Sequence, residues 1–285
     1  MLSILIPNYE YNCKDLVTDL VELGQEITVP VEIIVLDDGS SGKIRNQIRS
    51  LKEMQGVNYL ELEKNVGRAK ARNYLAEVSK YEYLLFLDCD SKICRTDFLA
   101  KYITFIPSNC VIVGGRIYSE TRPSPRFVLH WKYGKNREGS SGLFQSNNFM
   151  IPRQIFNKIR FDDKLAYYGH EDTLFGWRLK NLEIPVQWVD NPVQHLGLEA
   201  TEDFLKKQFL AITNLLKIKA EHPAVETKLT EVTRMLKKLL LHYPVIALFR
   251  MTRKYLVKLL ETVPNLWLLD FFKIGYYLEK SSAKG

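Results

Sequence analysis

The feature that most constrains the fold is an alternation of short apolar runs with amphipathic segments over the first 115 residues. Apolar, β-branched runs lie at 2–6, 31–36, 57–62, 83–87 and 111–115. Between them, apolar residues recur at the three- and four-residue intervals of a helix. Strands that alternate with helices favour a mostly parallel sheet covered by helices on both faces. The sequence therefore predicts an α/β fold.

Polar clusters follow three of these runs, at the point where each predicted strand ends. They are residues 7–9 (PNY), 37–40 (DDGS) and 88–90 (DCD). In open α/β sheets, ligands bind in the crevice beyond the carboxyl ends of the strands. We therefore expect the three clusters to share one binding site.

The acidic pair Asp88 and Asp90 has the spacing of a metal site. Side chains two apart in an extended segment point the same way, so both carboxylates project together. A divalent cation would relieve their repulsion, and Mg²⁺ typically uses one or two carboxylates plus substrate phosphates. A strand end with solvated acids is the alternative.

A second cluster, residues 65–73 (NVGRAKARN), places three basic side chains at the start of a predicted helix. Backbone N–H groups at a helix N-terminus, together with cations, form an anion site. Arg68 and Arg72 lie one helical turn apart. The alternative is a solvated basic helix face.

Taken in order and spacing, LSILIPNYE, VEIIVLDDGS, NVGRAKARN and YLLFLDCD resemble the family 2 glycosyltransferases of GT-A fold, over roughly residues 2–200. The resemblance implies a Rossmann-like sheet and an inverting transfer of a hexose or N-acetylhexosamine. The implied donor is a nucleoside-diphosphate sugar, with UDP expected, and the implied acceptor is a glycan or lipid-linked glycan. Glu10 departs from the family pattern, which commonly has Asn there.

The resemblance also implies roles for individual residues. Asp88 and Asp90 would bind Mn²⁺ or Mg²⁺, and His195 would be a third ligand, with a structural histidine as the alternative. The residues implied in nucleotide binding are Pro7, Tyr9, Asp38, Arg68, Arg72 and Asp88.

The Gly-His-Glu-Asp segment at 169–172 resembles the acidic motif that supplies the base in inverting members of the family. Asp172 is thus implied as general base, and Glu171 as acceptor-hydroxyl or structural support. A sugar hydroxyl becomes a good nucleophile only as its proton leaves. The alternative for one of the two is an acid that complements the helix dipole.

The stretch 119–142 lacks periodicity and is predicted to be a long functional loop. Trp131 within it is a candidate for stacking on a sugar. Asn147 and Asn148 are predicted donor-sugar or acceptor contacts, with edge-strand turn residues as the alternative. The segment from 201 onward is predicted to be helical. We therefore expect a catalytic domain at 1–200, with halves 1–115 and 116–200, and a helical appendage at 201–285.

The net charge of +7 is confined to that appendage, because residues 232–285 hold 10 Lys/Arg and 3 Asp/Glu. A balanced remainder argues against a nucleic-acid partner, whereas a basic end suits an anionic surface. Between Val245 and Leu260, one predicted helix face holds the apolar residues Val245, Leu248, Phe249, Leu256, Leu259 and Leu260, and the other holds Arg250, Lys254 and Lys258. We hypothesise peripheral attachment to the inner face of the cell membrane. A helix packed on the catalytic domain and oligomerisation are the alternatives.

Four cysteines without a CxxC pair suit a reducing cytosolic compartment, and the first residues indicate a strand and not a secretory signal. Two other functions are consistent with an α/β sheet of this kind. A sugar-phosphate nucleotidyltransferase would carry a glycine-rich, lysine-bearing loop after the first strand, which residues 7–10 do not supply. A non-catalytic membrane-associated scaffold would have lost the acidic pair or the base, and both are present.

Overall fold

The computed structural model describes residues 1–138, 144–164 and 169–282. The strands of these residues are β1 (Leu2–Asn8), β2 (Val31–Asp37), β3 (Val57–Glu61), β4 (Tyr83–Leu87), β5 (Ser91–Ile93), β6 (Val111–Val113), β7 (Arg116–Ile117), β8 (Asn148–Pro152), β9 (Val186–Trp188) and β10 (Val193–His195). The α-helices are α1 (Lys14–Gln25), α2 (Gly42–Ile48), α3 (Arg68–Val78), α4 (Phe98–Ile103), α5 (Val128–Tyr133), α6 (Arg153–Ile159), α7 (Glu171–Asn181), α8 (Thr201–Glu221), α9 (Lys228–Lys238), α10 (His242–Thr262) and α11 (Leu266–Ser282).

The chain divides into two compact units. The first unit comprises Met1–Ser119, Gly142–Lys164 and Phe175–Gly197. The second unit comprises Glu120–Ser141, Leu165–Leu174 and Leu198–Gly285. Helix α7 therefore begins in the second unit and continues in the first.

The first unit is built on a seven-stranded sheet in the order β3-β2-β1-β4-β8-β6-β9. Strands β1 to β4 run parallel, whereas β8 is antiparallel to its neighbours β4 and β6. The predicted α/β fold with a mostly parallel sheet is confirmed. The register places Asn8 beside Asp37 and Leu87 beside Asn148, so the polar clusters share one edge of the sheet.

Both faces of this sheet are covered by apolar side chains. Alternate residues of β1 show the arrangement: Ile4 and Ile6 belong to one buried cluster, and Leu5 belongs to the other. Side chains of successive strand residues point to opposite faces, so a strand buried on both sides is apolar throughout. This is the physical reason that the apolar runs, and not an alternating pattern, mark the strands.

A second, three-stranded sheet in the order β5-β10-β7 lies in the first unit and was not predicted. Its strands are only two or three residues long. Strand β10 pairs antiparallel with β5, with His195 beside Ser91, and parallel with β7, with Val193 beside Arg116. Segments far apart in sequence are thereby brought next to the acidic cluster at 88–90.

The second unit is helical, with a core formed by Leu129, Phe204, Phe249, Leu260 and Phe272. The predicted long loop is wrong for residues 125–138, which form a 3₁₀ turn, helix α5 and a π turn. Leu129 on α5 is fully buried, and burial in the core overrides the weak helical period of the segment. Residues 139–143 lie outside the described residues. Within the described part of the chain, no helix is long and apolar enough to cross a membrane.

Candidate functional site

The strand ends of the first unit are joined by backbone hydrogen bonds. The Asp38 N–H donates to the Asn8 carbonyl at 2.7 Å, and the Asp88 N–H donates to the Asn147 carbonyl at 2.9 Å. The turns that follow β1, β2 and β4 are therefore held at the carboxyl edge of the parallel strands. This is the place where open α/β sheets bind ligands.

Asp38 fixes the loop that leads into α3. Its carboxylate accepts hydrogen bonds from the backbone N–H groups of Val66, at 2.7 Å, and Gly67, at 3.0 Å, and from Asn65 Nδ2 at 3.1 Å. Burial raises the pKa of Asp38, although the two backbone hydrogen bonds act in the opposite direction. The structure thus ties the DDGS turn to the NVGR turn; nucleotide contact by Asp38 stays a prediction.

The turn after β1 presents Tyr9 to solvent, with 52% of the residue exposed, and Pro7 is half-buried. The next residue, Glu10, has a positive φ of 52° and fastens this turn to the second one. Its carboxylate accepts from the Ser41 N–H and from Ser41 Oγ, and its own N–H donates to Ser40 Oγ. The departure from the family pattern at Glu10 is therefore accommodated by the neighbouring loop.

Arg72 and Asp88 form an ion pair at the base of the site. Arg72 Nη2 lies 2.7 Å from Asp88 Oδ1, and its guanidinium lies 5.2 Å from the ring centroid of Phe161. The Arg72 side chain is 1% exposed, whereas that of Asp88 is 20% exposed. Arg72 therefore orients one acid of the predicted metal pair, and its contact with a nucleotide stays a prediction.

Substitution of Arg72 by methionine is expected to lower the free energy of unfolding by about 2 kcal/mol. The methionine keeps much of the packing but leaves the Asp88 carboxylate without its charged hydrogen-bond donor. Urea denaturation measures the loss. Lys70→Met, an exposed position on the same helix, is the matched control and should change stability by less than about 0.5 kcal/mol. Equal losses for the two variants would contradict a stabilising Arg72–Asp88 pair.

Asp90 is the acid of the site that pairs with a histidine. His195 Nδ1 lies 3.4 Å from Asp90 Oδ1, with 22% of the Asp90 side chain exposed. Burial acts to raise the pKa of Asp90, but the His195 hydrogen bond and the charges of His195, Arg116 and Arg68 outweigh it and lower the pKa to about 2. Asp90 is therefore ionised at neutral pH and lies within the fields of the cationic side chains of Arg68 and Arg116. Such a setting suits a bound anion together with a cation.

The side chains around Asp90 fit a divalent metal whose coordination is completed by phosphate groups of a bound substrate. No cluster of three or more His, Cys, Asp and Glu side chains placed for a metal occurs among the described residues. Asp90 and His195 nevertheless offer an oxygen and a nitrogen side by side. Metals of this class are commonly held by few protein groups when substrate phosphates complete the coordination. The donor set is consistent with Mn²⁺ or Mg²⁺ bound together with a diphosphate.

Gly197 allows the chain after β10 to pack directly against the Asp90 side chain. The Leu196 N–H donates to the Asp90 carbonyl at 2.8 Å, which holds the chain after β10 against the acidic turn. A Cβ at Gly197 would overlap Asp90 Oδ2 and would lie 2.9 Å from Asp90 Cγ. Only a glycine lets the backbone approach the carboxylate this closely.

The two predicted sugar-contact asparagines differ in their surroundings. Asn148 is fully buried, its Nδ2 donates to the carbonyls of Gly115 and Asn191, and its Oδ1 accepts from Tyr102 at 2.6 Å. Asn148 is thus a cross-link within the first unit, and we keep the sugar contact as a prediction for Asn147 alone. The buried Oδ1 of Asn147 accepts no hydrogen bond from the described residues.

Comparison with known proteins decides the family. The profile of glycosyl transferase family 2 matches residues 3–165, more than half of the chain. This chain belongs to glycosyl transferase family 2.

The curated relatives share a third or less of their aligned residues with this chain, and they are considerably longer than it. Chondroitin synthase of Escherichia coli is 25% identical over 222 residues, which cover 62% of this chain and 32% of that protein. An uncharacterized glycosyltransferase of Haemophilus influenzae is 33% identical over 131 residues, covering 46% of this chain and 38% of that protein. The alignments thus span about a third of the length of these relatives.

Solved structures show the same fold. The Pyrobaculum calidifontis mannosyltransferase PcManGT, in complex with GDP-Man and Mn²⁺, matches with a TM-score of 0.59 at 12% identity, covering 99% of this chain and 86% of that one. Staphylococcus aureus TarS 1–349, in complex with UDP, matches with a TM-score of 0.50 at 17% identity, covering 100% of this chain and 91% of that one. The predicted GT-A fold of this family 2 glycosyltransferase is confirmed.

In this glycosyltransferase the Glu-Asp motif opens helix α7, and its first turn belongs to the second unit. Glu171 is 4% exposed, and Asp172 is half-buried. The preceding Gly169 has a φ of +94°, and a Cβ there would lie 2.5 Å from the Ala211 Cβ. Asn214 Nδ2 donates to the Gly169 carbonyl at 2.9 Å, so α8 fixes the turn that leads into the motif.

His170 lies between Gly169 and Glu171, and its side chain is uncharged at neutral pH. Burial, followed by the charge of Lys273, lowers the pKa of His170 to about 4, against the opposing effect of Glu171. His170 also has a positive φ of 67°, and its Nδ1 lies 3.0 Å from Thr173 Oγ1. These contacts tie the turn to α7, and the role of Asp172 as base stays a prediction.

Trp131 lies on α5 and not on a loop, which corrects its predicted setting. Its ring is half-buried, and Lys135 Nζ lies 5.2 Å from the ring centroid. The correction has the same cause as that of the surrounding segment, because the neighbouring Leu129 and His130 are buried and hold the helix. Stacking of Trp131 on a sugar stays a prediction.

Replacing Gly197 by alanine in this glycosyltransferase is expected to weaken the metal-dependent binding of UDP that we propose below by at least about fivefold. The added methyl group must displace the Asp90 carboxylate, and overpacking of this kind costs about 1–3 kcal/mol. Calorimetric titration of UDP with Mn²⁺ measures the change. Gly24→Ala is the matched control, because its added methyl group would meet no atom of another segment within 4 Å. Equal affinities for the wild type and Gly197→Ala would contradict the close packing at Asp90.

Sequence reasoning missed two residues of this site, Arg116 and Gly197. Arg116 acts on Asp90 from the two-residue strand β7, directly after the Gly-Gly pair at 114–115. A basic residue after a strand-ending glycine pair is the one signal that the sequence offered. Gly197 had no local signal, since its role depends on a contact with a residue more than 100 positions away.

Proposed function

We propose that this chain transfers a hexose or N-acetylhexosamine from a UDP-sugar to a hydroxyl of a glycan or lipid-linked glycan, with inversion at the anomeric carbon. The observation that carries the proposal is the pairing of Asp90 with His195 at the carboxyl edge of the sheet, within the fields of Arg68 and Arg116. A carboxylate among cations suits a metal–diphosphate group. The names of solved relatives include UDP, GDP-Man and Mn²⁺.

Asp90 and His195 would hold the divalent cation in this proposal, and Arg72 would keep Asp88 oriented beside them. When bound, a divalent cation neutralises the charge that develops on a departing diphosphate. Arg68 and Arg116 would add positive potential for the same oxygens. The half-exposed Tyr9 is the proposed platform for the nucleotide base.

Asp172 is the proposed general base. It would accept the proton of the acceptor hydroxyl, and attack from the side opposite the leaving group would invert the anomeric configuration. Its support is the Glu-Asp motif at the start of α7 and the hydrogen bond from Asn214 that holds Gly169 before it. Glu171, which is buried, is proposed as the support of that turn.

We further propose that the product belongs to a bacterial surface polysaccharide or teichoic acid. Named relatives include a chondroitin synthase, a teichoic acid poly(glycerol phosphate) polymerase of Staphylococcus epidermidis and a putative teichuronic acid glycosyltransferase of Bacillus subtilis. These names belong to longer proteins, of which this chain matches only a part. Our proposal therefore names the chemical class of the acceptor and no single acceptor compound.

A panel of nucleotide-sugars tests the proposal. The full chain is incubated with UDP-, GDP- and dTDP-sugars in Mn²⁺, Mg²⁺ or EDTA, and release of nucleoside diphosphate is measured. We expect turnover of one or a few UDP-sugars with a metal and none with EDTA. Proton NMR of the early product should show an inverted anomeric configuration.

Several outcomes would overturn parts of the proposal. Turnover of GDP-sugars alone would replace UDP as donor, and retention would exclude single displacement. Release of pyrophosphate from a nucleoside triphosphate and a sugar phosphate would identify the nucleotidyltransferase alternative. No turnover, together with no binding of any nucleoside diphosphate, would favour the scaffold.

A further inference from the structure

Helix α10 in the second unit has two apolar faces, only one of which is buried. Phe249, Leu256 and Leu260 on one side belong to the core of the unit. Leu248 and Leu259, which belong to the predicted apolar stripe, are exposed instead. We call the outer face the α10 stripe; it consists of Leu248, Met251, Tyr255 and Leu259, which are 51%, 76%, 75% and 42% exposed.

The α10 stripe is continuous along the helix. Its four residues follow the spacing i, i+3, i+7, i+11, so they form one row over three turns. Large apolar side chains are also exposed at both ends of α10: Leu240 and Tyr243, both 67% exposed, at its start, and Trp267, 79% exposed, shortly after its end. A run of this size exceeds the single exposed apolar residues that are normal on a surface.

Basic side chains flank the stripe. Arg250, Lys254 and Lys258 follow at i, i+4, i+8 between the stripe and the buried face, and all are exposed. Glu279 of α11 pairs with Arg250 at 2.9 Å, but no ion pair of Lys254 or Lys258 occurs among the described residues. A cationic row thus accompanies the apolar row.

We propose that the α10 stripe docks on an anionic lipid surface, with α10 parallel to the membrane plane. Helices that lie in the membrane interface combine one apolar row, aromatic side chains and Lys/Arg on the polar side. Anionic headgroups would pair with Lys254 and Lys258. A second copy of the chain fits less well, because antiparallel two-fold pairing of the same face would bring the two basic rows together.

Co-sedimentation of the full chain with lipid vesicles tests this proposal. We compare vesicles of phosphatidylcholine with vesicles that also contain phosphatidylglycerol, at low and high salt. The variants are Met251→Ser/Tyr255→Ser for the apolar row, Lys254→Glu/Lys258→Glu for the basic row, and Lys43→Glu/Lys158→Glu as the charge-matched control in the first unit. Circular dichroism melting checks that each variant is folded.

We expect binding to anionic vesicles that weakens with salt and is at least 10-fold weaker to neutral vesicles. The basic-row variant should bind at least about 30-fold more weakly than wild type, because the loss of two basic residues alone accounts for that factor and the two new acids add repulsion. The apolar-row variant should lose at least about 10-fold, and the control should bind within about threefold of wild type.

Three results would overturn the proposal. These are no binding to anionic vesicles at low salt, equal binding to neutral and anionic vesicles, and losses in the control equal to those in the basic-row variant. Analytical ultracentrifugation adds an independent readout. A dimer of the wild type that becomes a monomer in Met251→Ser/Tyr255→Ser would identify the α10 stripe as a contact between copies of the chain.

Discussion

Replacing Asp90 by alanine is expected to lower the rate of sugar transfer by at least about 10²–10³-fold and to abolish metal-dependent binding of UDP. Asp90 supplies the ionised oxygen beside His195, and removing one well-placed electrostatic group from a catalytic site typically costs this much. Turnover of the donor identified by the nucleotide-sugar panel, together with thermal shift by UDP and Mn²⁺, measures both effects.

The matched control for that substitution is Asp190→Asn. Its side chain is 85% exposed and lies 3.4 Å from Arg95, so the pair is an exposed one of small energetic weight. We expect activity within about twofold of wild type. An Asp90→Ala variant that keeps more than a tenth of the wild-type activity and still binds UDP only with metal would refute the assignment of Asp90.

Replacing Asp172 by asparagine is expected to lower turnover by about 10²–10⁴-fold while leaving UDP and Mn²⁺ binding unchanged. Asparagine keeps the size of the side chain but cannot accept a proton, and general-base catalysis contributes a factor of this order. The contrast with Asp90→Ala is the informative part, because one variant loses binding and the other loses only chemistry.

Asp203→Asn serves as the control for this substitution. Asp203 also lies in the first turn of a helix of the second unit, and its side chain is 63% exposed. Its replacement should leave turnover within about twofold. If Asp172→Asn loses affinity for UDP with metal to the same extent as turnover, Asp172 acts on donor binding and is not the base.

The sheet could be predicted because its signals are local. Strands β1, β2 and β4 are uninterrupted apolar runs, and a strand buried on both faces needs no information from distant residues. The polar turns that follow them were predicted to meet because parallel strands end at one edge. The positions of Asp38 and Asp88 therefore followed from the order of the elements.

The surroundings of Asp90 could not be predicted in the same way. They depend on the sheet β5-β10-β7, whose strands of two or three residues have no periodic signal. His195 was proposed beside Asp90 from family resemblance alone, and Arg116 and Gly197 were missed. His195 and Gly197 lie more than 100 positions from Asp90, and contacts over such a separation are decided by the packing of the whole unit.

Two features of the second unit could not be predicted, for opposite reasons. They are the burial of individual side chains of α10 and the presence of helix α5. In α10, the predicted apolar stripe includes both kinds of residue, so the sequence could not separate the core-facing Phe249 from the exposed Leu248. In the predicted loop, the apolar residues around Leu129 are too few to show a period. There the core of the second unit determines the helix.

The most direct test of the account is calorimetric titration of UDP into the wild-type chain with Mn²⁺, repeated with EDTA and with Asp90→Ala. We expect saturable binding with Mn²⁺, at least about 10-fold weaker binding with EDTA, and no effect of metal in Asp90→Ala. Binding of UDP with the same affinity in all three experiments would contradict a metal–diphosphate site at Asp90.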